Sequence, residues 1–460
     1  MRAHRSLSLL AFALALAALL APAASAAPPK LERCELGLER ALRCGEITVP
    51  MRRADPALGT TRVAFALRTR GDTSRPPLGT IMAMDGGPGY ASTSAPFARS
   101  LFAVLAPLLP RYDVVVYDMR GTGRSQAVNC KPLQAGLIQE HIAIGECANQ
   151  LGPRYAGYTT GEAAHDLDAV RRALGLGKVF FYGDSYGTLF GQAYAVRYPG
   201  SLRGLILDSA YPGDDPYYRT LLPAGLDGLR IACRNSPSCS GDPVARFSRV
   251  VRRFHAADRS TEGLLGFLLQ SGTLAPRSYL SLDDGISRYL AGDPRRLNRL
   301  IAPGPAGHGP LSEFSYGLEI AVECMDYPLL WDPGASTAER IRQLDAAVKR
   351  IPEDRFAPFG RREYLLSSAA HLTNCLNWPA PPPGHEPPVP AGWVAPTSFP
   401  TLVLAGQVDD ITSPAEARQV KRRFPRSRLY VVPNRGHSSP LYFPFRSPGV
   451  GAIRHFIAAN

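Results

Sequence analysis

Short apolar runs alternate along this chain with longer stretches in which hydrophobic positions recur every third or fourth residue. Arg62–Arg68 and Thr80–Met84 are rich in β-formers, and Asp113–Tyr117 has the continuous apolar run of a strand covered on both faces. From Glu162 to Leu174, Ala163, Leu167, Val170 and Leu174 form one helical stripe, which Gly175 stops. Lys178–Tyr182 then predicts a strand, Tyr186–Tyr198 a helix and Gly204–Asp208 a strand. Strands and helices joined by short connections predict a parallel sheet with right-handed crossovers. The order returns late, with strand Thr401–Ala405, helix Ala415–Phe424, strand Arg428–Val432 and helix Ile453–Ala459.

Between about Pro212 and Pro396 this alternation lapses into helix-like pieces, among them Pro243–His255 and Ala338–Arg350, and a proline-dense stretch from Pro379 to Pro400. Residues 27–211 and 397–460 are therefore expected to form two parts of one α/β domain, with 212–396 inserted as a cap. An independent second domain is the alternative, but the late strands need the early ones to complete a sheet.

The first residues read as an export signal. Arg2 and Arg5 precede an apolar run from Leu7 to Leu20, and Ala24-Ser25-Ala26 has the small-x-small pattern of a cleavage site. The run falls short of the ~20 residues of a spanning helix, so residues 1–26 are expected to be removed and no later window to cross a membrane. Export changes the meaning of the eight cysteines, an even number in an oxidising compartment. Spacing suggests Cys34 with Cys44, Cys130 with Cys147, Cys233 with Cys239 and Cys324 with Cys375, though eight cysteines admit 105 connectivities. No CxxC or HxxxH spacing supports a metal site. The net charge of +13 falls to +11 without Arg2 and Arg5, and it is spread over scattered arginines. Neither a basic cluster with interleaved aromatics nor a nucleic-acid module is present.

Gly183-Asp184-Ser185-Tyr186-Gly187 sits between a predicted strand and a predicted helix. There, Gly-x-Ser-x-Gly is a sharp turn that exposes the serine hydroxyl above the sheet end, with the glycines leaving room for it. A serine hydroxyl needs a base, and in this arrangement acid and histidine follow the serine in the chain. His437 lies in a glycine-flanked loop after the strand Arg428–Val432; His165 is out of order, and His371 and His385 fall in the cap. Asp409, in the loop leaving Thr401–Ala405, is the preferred acid and Asp410 its rival. Oxyanion donors are expected at the Tyr186 N–H and, in Asp85-Gly86-Gly87-Pro88-Gly89, at Gly87, because Pro88 has no N–H.

Gly86-Gly87-Pro88-Gly89, Asp118-Met119-Arg120-Gly121-Thr122-Gly123-Arg124-Ser125, the Ser185 turn, Asp409 and Gly436-His437 together resemble the proline iminopeptidase and tripeptidyl aminopeptidase branch of the α/β-hydrolases. The long cap, the leader and the cysteines at Cys324 and Cys375 are more similar to its exported members. The resemblance runs from about Cys44 to the C-terminus and implies an α/β-hydrolase fold with a large, mainly helical cap. Two positions depart from the pattern: Asp85 replaces the usual histidine, and Asp410 stands where proline is common. In the Asp118–Ser125 loop, an ion pair of Asp118 with Arg120 or Arg124 is expected to be structural.

The resemblance implies an exported serine exopeptidase without metal or organic cofactor, acting on peptides with a free N-terminus; the oligomeric state stays open. A carboxylesterase or lipase with the same triad is the rival, and a catalytically inactive binding protein the remoter one. In the resembling iminopeptidases acidic cap residues bind the substrate amine. Here Glu319, Glu323 and Asp326 share a face if the segment is helical. Glu323 and Asp326 are the candidates for amine recognition, and Glu319 is read as part of a solvated stripe.

Overall fold

The computed structural model describes residues 28–34, 42–214, 219–304 and 307–460; the expected leader lies outside them. Nine strands form one sheet: β1 (Glu32–Arg33), β2 (Leu42–Pro50), β3 (Thr60–Arg68), β4 (Gly79–Met84), β5 (Tyr112–Tyr117), β6 (Val179–Asp184), β7 (Leu202–Asp208), β8 (Thr401–Gly406) and β9 (Ser427–Val432). Their order is β1-β2-β3-β5-β4-β6-β7-β8-β9. β1, β2, β3 and β5 pair antiparallel, and every pairing from β5 to β9 is parallel. The strand order reverses at β4, between β5 and β6. Such a reversal opens a crevice at the carboxyl ends of the strands.

Alternation along the strands sorts the core onto two faces. In β6, Val179 and Phe181 join one cluster while Phe180 and Tyr182 join the other. Helix α1 (Ala95–Leu105) covers the second face with Phe97, Leu101 and Leu105. On the first face, α2 (Thr160–Ala173) contributes Ala163, Leu167 and Val170, and α3 (Tyr186–Arg197) contributes Leu189, Phe190 and Tyr194. Helices α4 (Leu221–Arg234), α5 (Pro243–Ala256), α6 (Glu262–Leu269), α7 (Arg277–Leu290), α8 (Tyr316–Asp326) and α9 (Thr337–Arg350) follow between β7 and β8, where no strand of the sheet occurs among the described residues. α10 (Pro414–Arg423) and α11 (Pro448–Ala459) complete the chain, with Ile453 and Ile457 buried beside α1. No helix among the described residues is long and apolar enough to cross a membrane.

All four cysteine pairs suggested by spacing are bonded. The Cys324–Cys375 bridge spans 51 residues, and closing a loop of that length restricts the unfolded chain by about 4 kcal/mol in the chain-entropy account. Replacing both cysteines by serine should lower the free energy of unfolding by up to that amount in denaturant titration; an unchanged midpoint and slope would contradict it.

The Asp118–Ser125 loop departs from expectation. Arg120, fully buried, pairs with Asp166 through Nε–Oδ2 at 2.6 Å and Nη2–Oδ1 at 2.7 Å, so Asp118 is not its partner. The Asp118 carboxylate instead accepts from the Thr93 N–H at 2.7 Å, the Thr93 hydroxyl at 2.6 Å and the Arg124 N–H at 2.9 Å. Two backbone N–H groups and a hydroxyl thus hold the carboxylate, and of the two expected arginines only Arg124 adds its charge.

Candidate active site

The turn between β6 and α3 holds Ser185 at φ 51, ψ −122, a strained conformation for a residue with a side chain. Its glycines are required by space: a Cβ on Gly183 would lie 2.1 Å from the Gly187 oxygen. The Ser185 N–H donates to the Asp208 oxygen at 2.9 Å, fixing the turn to β7. The next residue, Tyr186, opens α3, where the first N–H groups have no partner within the helix. Beside it runs the loop leaving β4, where a Cβ on Gly86 would meet the Ser185 Cβ at 2.7 Å and Gly87 adopts φ 107. Two backbone segments with N–H groups to offer therefore flank the serine.

His437 Nδ1 lies 3.0 Å from Asp409 Oδ2 and 3.2 Å from Oδ1. The carboxylate accepts further bonds from the Ile411 and Thr412 N–H groups at 3.0 and 2.9 Å and from the Ser209 and Thr412 hydroxyls at 2.9 and 3.0 Å. Oxygens that already accept four donors take a fifth from the ring, so this contact places the imidazole proton on Nδ1 and leaves Nε2 free to accept one. Burial opposes charge on His437, but Asp409 outweighs it and raises the ring above its ordinary value. The histidine loop is tied down on both sides: His437 N–H donates to the Gly272 oxygen at 3.0 Å, Ser438 N–H to Ser209 Oγ at 2.7 Å and Ser438 Oγ to Asp184 Oδ2 at 3.0 Å. Ser185 and His437 line one cleft.

Asp410 turns away from the histidine. Its oxygens accept from the Gly272 N–H at 3.0 Å and the Tyr279 hydroxyl at 2.8 Å. Burial, then the charge of Asp409, push it up to about 7. Asp410 thus fastens the segment from α6 to α7 over the sheet end, while Asp409 holds the histidine.

The segment is helical, as α8, but its three carboxylates do not all meet the cleft. Glu319 and Glu323 line the cleft together with His371. Burial, then Glu323, push Glu319 up to about 8, so it does not belong to a solvated stripe. His371 has Nδ1 3.6 Å from Glu323 Oε2. Burial works against its charge, yet Glu323 and then Glu319 raise it to about 9. Asp326 is not brought to the cleft. Its side chain is fully buried, with Oδ2 accepting from the Thr160 N–H at 2.6 Å and hydroxyl at 2.5 Å, and Oδ1 3.4 Å from His385 Nε2. One turn of helix beyond Glu323, it faces the sheet domain.

That contact reaches Tyr186. The Thr160 hydroxyl, donating to Asp326, sits 2.8 Å from the Tyr186 hydroxyl, which completes the chain by donating to Thr160. Asp326 is thus linked through Thr160 to the side chain of the residue that follows the serine. Thr160→Val, which keeps the shape and removes the link, should lower kcat roughly ten- to a hundred-fold by misplacing a donor and leave KM unchanged. Equal kcat in the variant would refute the link.

Asp85 also lines the cleft and accepts the Gly86 N–H at 2.8 Å. Burial pushes it up to about 7 against that bond, with Asp118 adding to the shift. It is neutral below that pH and charged above it. A carboxylate beside Gly86 and Gly87 opposes negative charge developing there, so turnover of a neutral ester should fall as pH rises through about 7. With His437 as the base, its protonation would set the acid limb. Asp85→Asn should remove the alkaline limb alone; a mutant profile matching wild type would contradict this.

Sequence reasoning placed Ser185, His437, Asp409, Gly87, Tyr186 and Glu323 around this cleft, and put Asp326 there as well. It missed Ser209, Thr412 and Ser438, hydroxyls with no local signature. Glu319 had one, four residues before Glu323 on the same helix face.

Residues 81–444 match the alpha/beta hydrolase fold family. Among curated proteins, serine protease Hip1 of Mycobacterium tuberculosis is 25% identical over 423 residues, covering 80% of this chain and 76% of that protein. The tripeptidyl aminopeptidase of Streptomyces coelicolor is 27% identical over 467 residues, covering 91% and 82%. Carboxylesterase B of Mycobacterium tuberculosis is 26% identical over 403 residues, covering 77% and 73%. The chain belongs to the α/β hydrolase fold family.

Proposed function

We propose that this α/β hydrolase is an exported serine exopeptidase that cleaves peptides near a free N-terminus. The observation that carries the reading is that one cleft holds both Ser185 with His437 and the acidic wall of Glu319 and Glu323. The similarity to a tripeptidyl aminopeptidase and a serine protease supports peptide chemistry. Four disulfides, together with the leader pattern, support export.

In this reading, His437 Nε2 takes the Ser185 proton as Oγ attacks the scissile carbonyl, and Asp409 stabilises the imidazolium. N–H groups of Gly87 and Tyr186 stabilise the oxyanion. The imidazolium protonates the departing amine, leaving an acyl-enzyme, and a water activated by the same ring releases the acid. These steps use the chain's own groups. A substrate's α-ammonium meets Glu323 and Glu319, and its charge draws Glu319 into the ionised form. His371 balances one of the two carboxylates, so the wall matches a single cation.

Glu323→Gln and Glu319→Gln should each raise KM for free-amine peptides ten-fold or more, the scale of a charge-assisted contact of about 1.5–3 kcal/mol. Turnover of a neutral p-nitrophenyl ester should stay at the wild-type rate. Wild-type KM for free-amine peptides in both variants would remove the amine from this wall. The similarity to carboxylesterase B favours a second reading, ester hydrolysis by the same triad. Esters turned over with peptides untouched would establish it.

A further inference from the structure

Beside the acidic wall lies a second recess, whose lining shares Glu323 and His371 with that of the cleft. This recess is lined chiefly by Tyr211, Tyr327, Leu329, Leu330, Trp331 and Leu372. The tyrosine hydroxyls are 2.5 Å apart, and the Trp331 ring is buried. Glu323 and His371 are the carboxylate and the imidazole of its lining, and both also line the catalytic cleft. Cys375 also lines the recess, and its bridge to Cys324, next to Glu323, ties the acidic helix to the recess wall. The walls are thus cross-linked to each other whether or not a ligand is present.

We propose that this recess is the subsite for the side chain of the substrate's first residue, and that it selects an uncharged, apolar side chain. The inference rests on the reading that the α-amine binds Glu323. The Cα of an N-terminal residue is one bond from its nitrogen, about 1.5 Å, so an ammonium on Glu323 brings the first side chain to the mouth of the recess. The remainder of the peptide runs the other way, toward Ser185, through the cleft that Glu323 also lines. A leucine side chain leaves water for an apolar surround, while an aspartate would enter that surround unpaired and face Glu323. The first residue is then read twice: its amine by charge, its side chain by burial.

Two peptides identical after the first residue, beginning with leucine or glycine, are compared as free amines and as N-acetylated forms, with kcat/KM followed by mass spectrometry of the products. A third, beginning with aspartate, is added as a free amine. The free leucine peptide should exceed the glycine peptide by on the order of ten- to a hundred-fold, with aspartate slowest, and acetylation should cost ten-fold or more. In Leu330→Trp, which fills the recess, the leucine-to-glycine ratio should fall to about one; Leu372→Phe serves the same end should the first variant not fold. If acetylation is costly but leucine and glycine react alike, the recess is not a subsite and the amine reading stands. A leucine preference that survives both filling substitutions also overturns the proposal. If acetylation costs nothing, the amine reading fails and this placement of the first side chain fails with it.

Discussion

Ser185→Ala should lower kcat for any substrate roughly a millionfold and abolish labelling by a fluorophosphonate probe. The size follows from how the three side chains act as a unit: without the nucleophile, base and acid have no step to catalyse, and only binding and oxyanion donors remain. The fold should survive, because Ser185 owes its place to backbone constraints rather than to its hydroxyl. Its N–H is bonded to Asp208, and the turn closes through glycines packed against backbone. Removing Oγ relieves no clash and leaves no charge unpaired. Labelling of the alanine variant at the wild-type level would mean that another residue is the nucleophile.

Asp409→Asn should cost about ten-thousand-fold in kcat, whereas the same change at Asp410 should cost less than about ten-fold. The amide at position 409 fits the same space, but its NH₂ competes to donate to His437 Nδ1 and drives the ring into the wrong tautomer. At position 410 the carboxylate acts on His437 only through its charge, without a hydrogen bond to the ring. The loss there falls on the bonds from Gly272 and Tyr279, which fasten α6 and α7 over the sheet end. Asp410→Asn is therefore expected to lower the melting temperature more than the rate. Single-turnover kinetics and thermal melts on both variants separate the two roles; a larger rate loss at 410 would exchange them.

The parallel half of the sheet was legible because its strands announce themselves. β5 and β6 are apolar on both faces, and each gives way to polar or glycine-bounded connections. β2 was not, since Gly45 interrupts its alternation and Glu46 stands among its apolar positions. Its place is set by a nine-residue antiparallel register with β3, a partner that no local pattern reveals. The same division runs through the site. Ser185 and His437 could be found because glycines and chain order mark their turns. Ser209 and Thr412 could not, because their roles arise from two loops meeting around Asp409. Asp326 was misplaced for a related reason: helical spacing puts it on the face of Glu323, but α8 ends there, and the last turn meets α2 rather than the cleft. Periodicity assigns a face; only packing decides what the face meets.

The most direct test of the account is to incubate the purified wild-type enzyme with one unlabelled peptide and its N-acetylated twin and to identify every product by mass spectrometry over time. Fragments released from the N-terminal end of the free peptide, no internal cuts, and at least a ten-fold slower reaction of the acetylated twin are expected. Equal cleavage of both twins, or cuts at internal bonds, would contradict it.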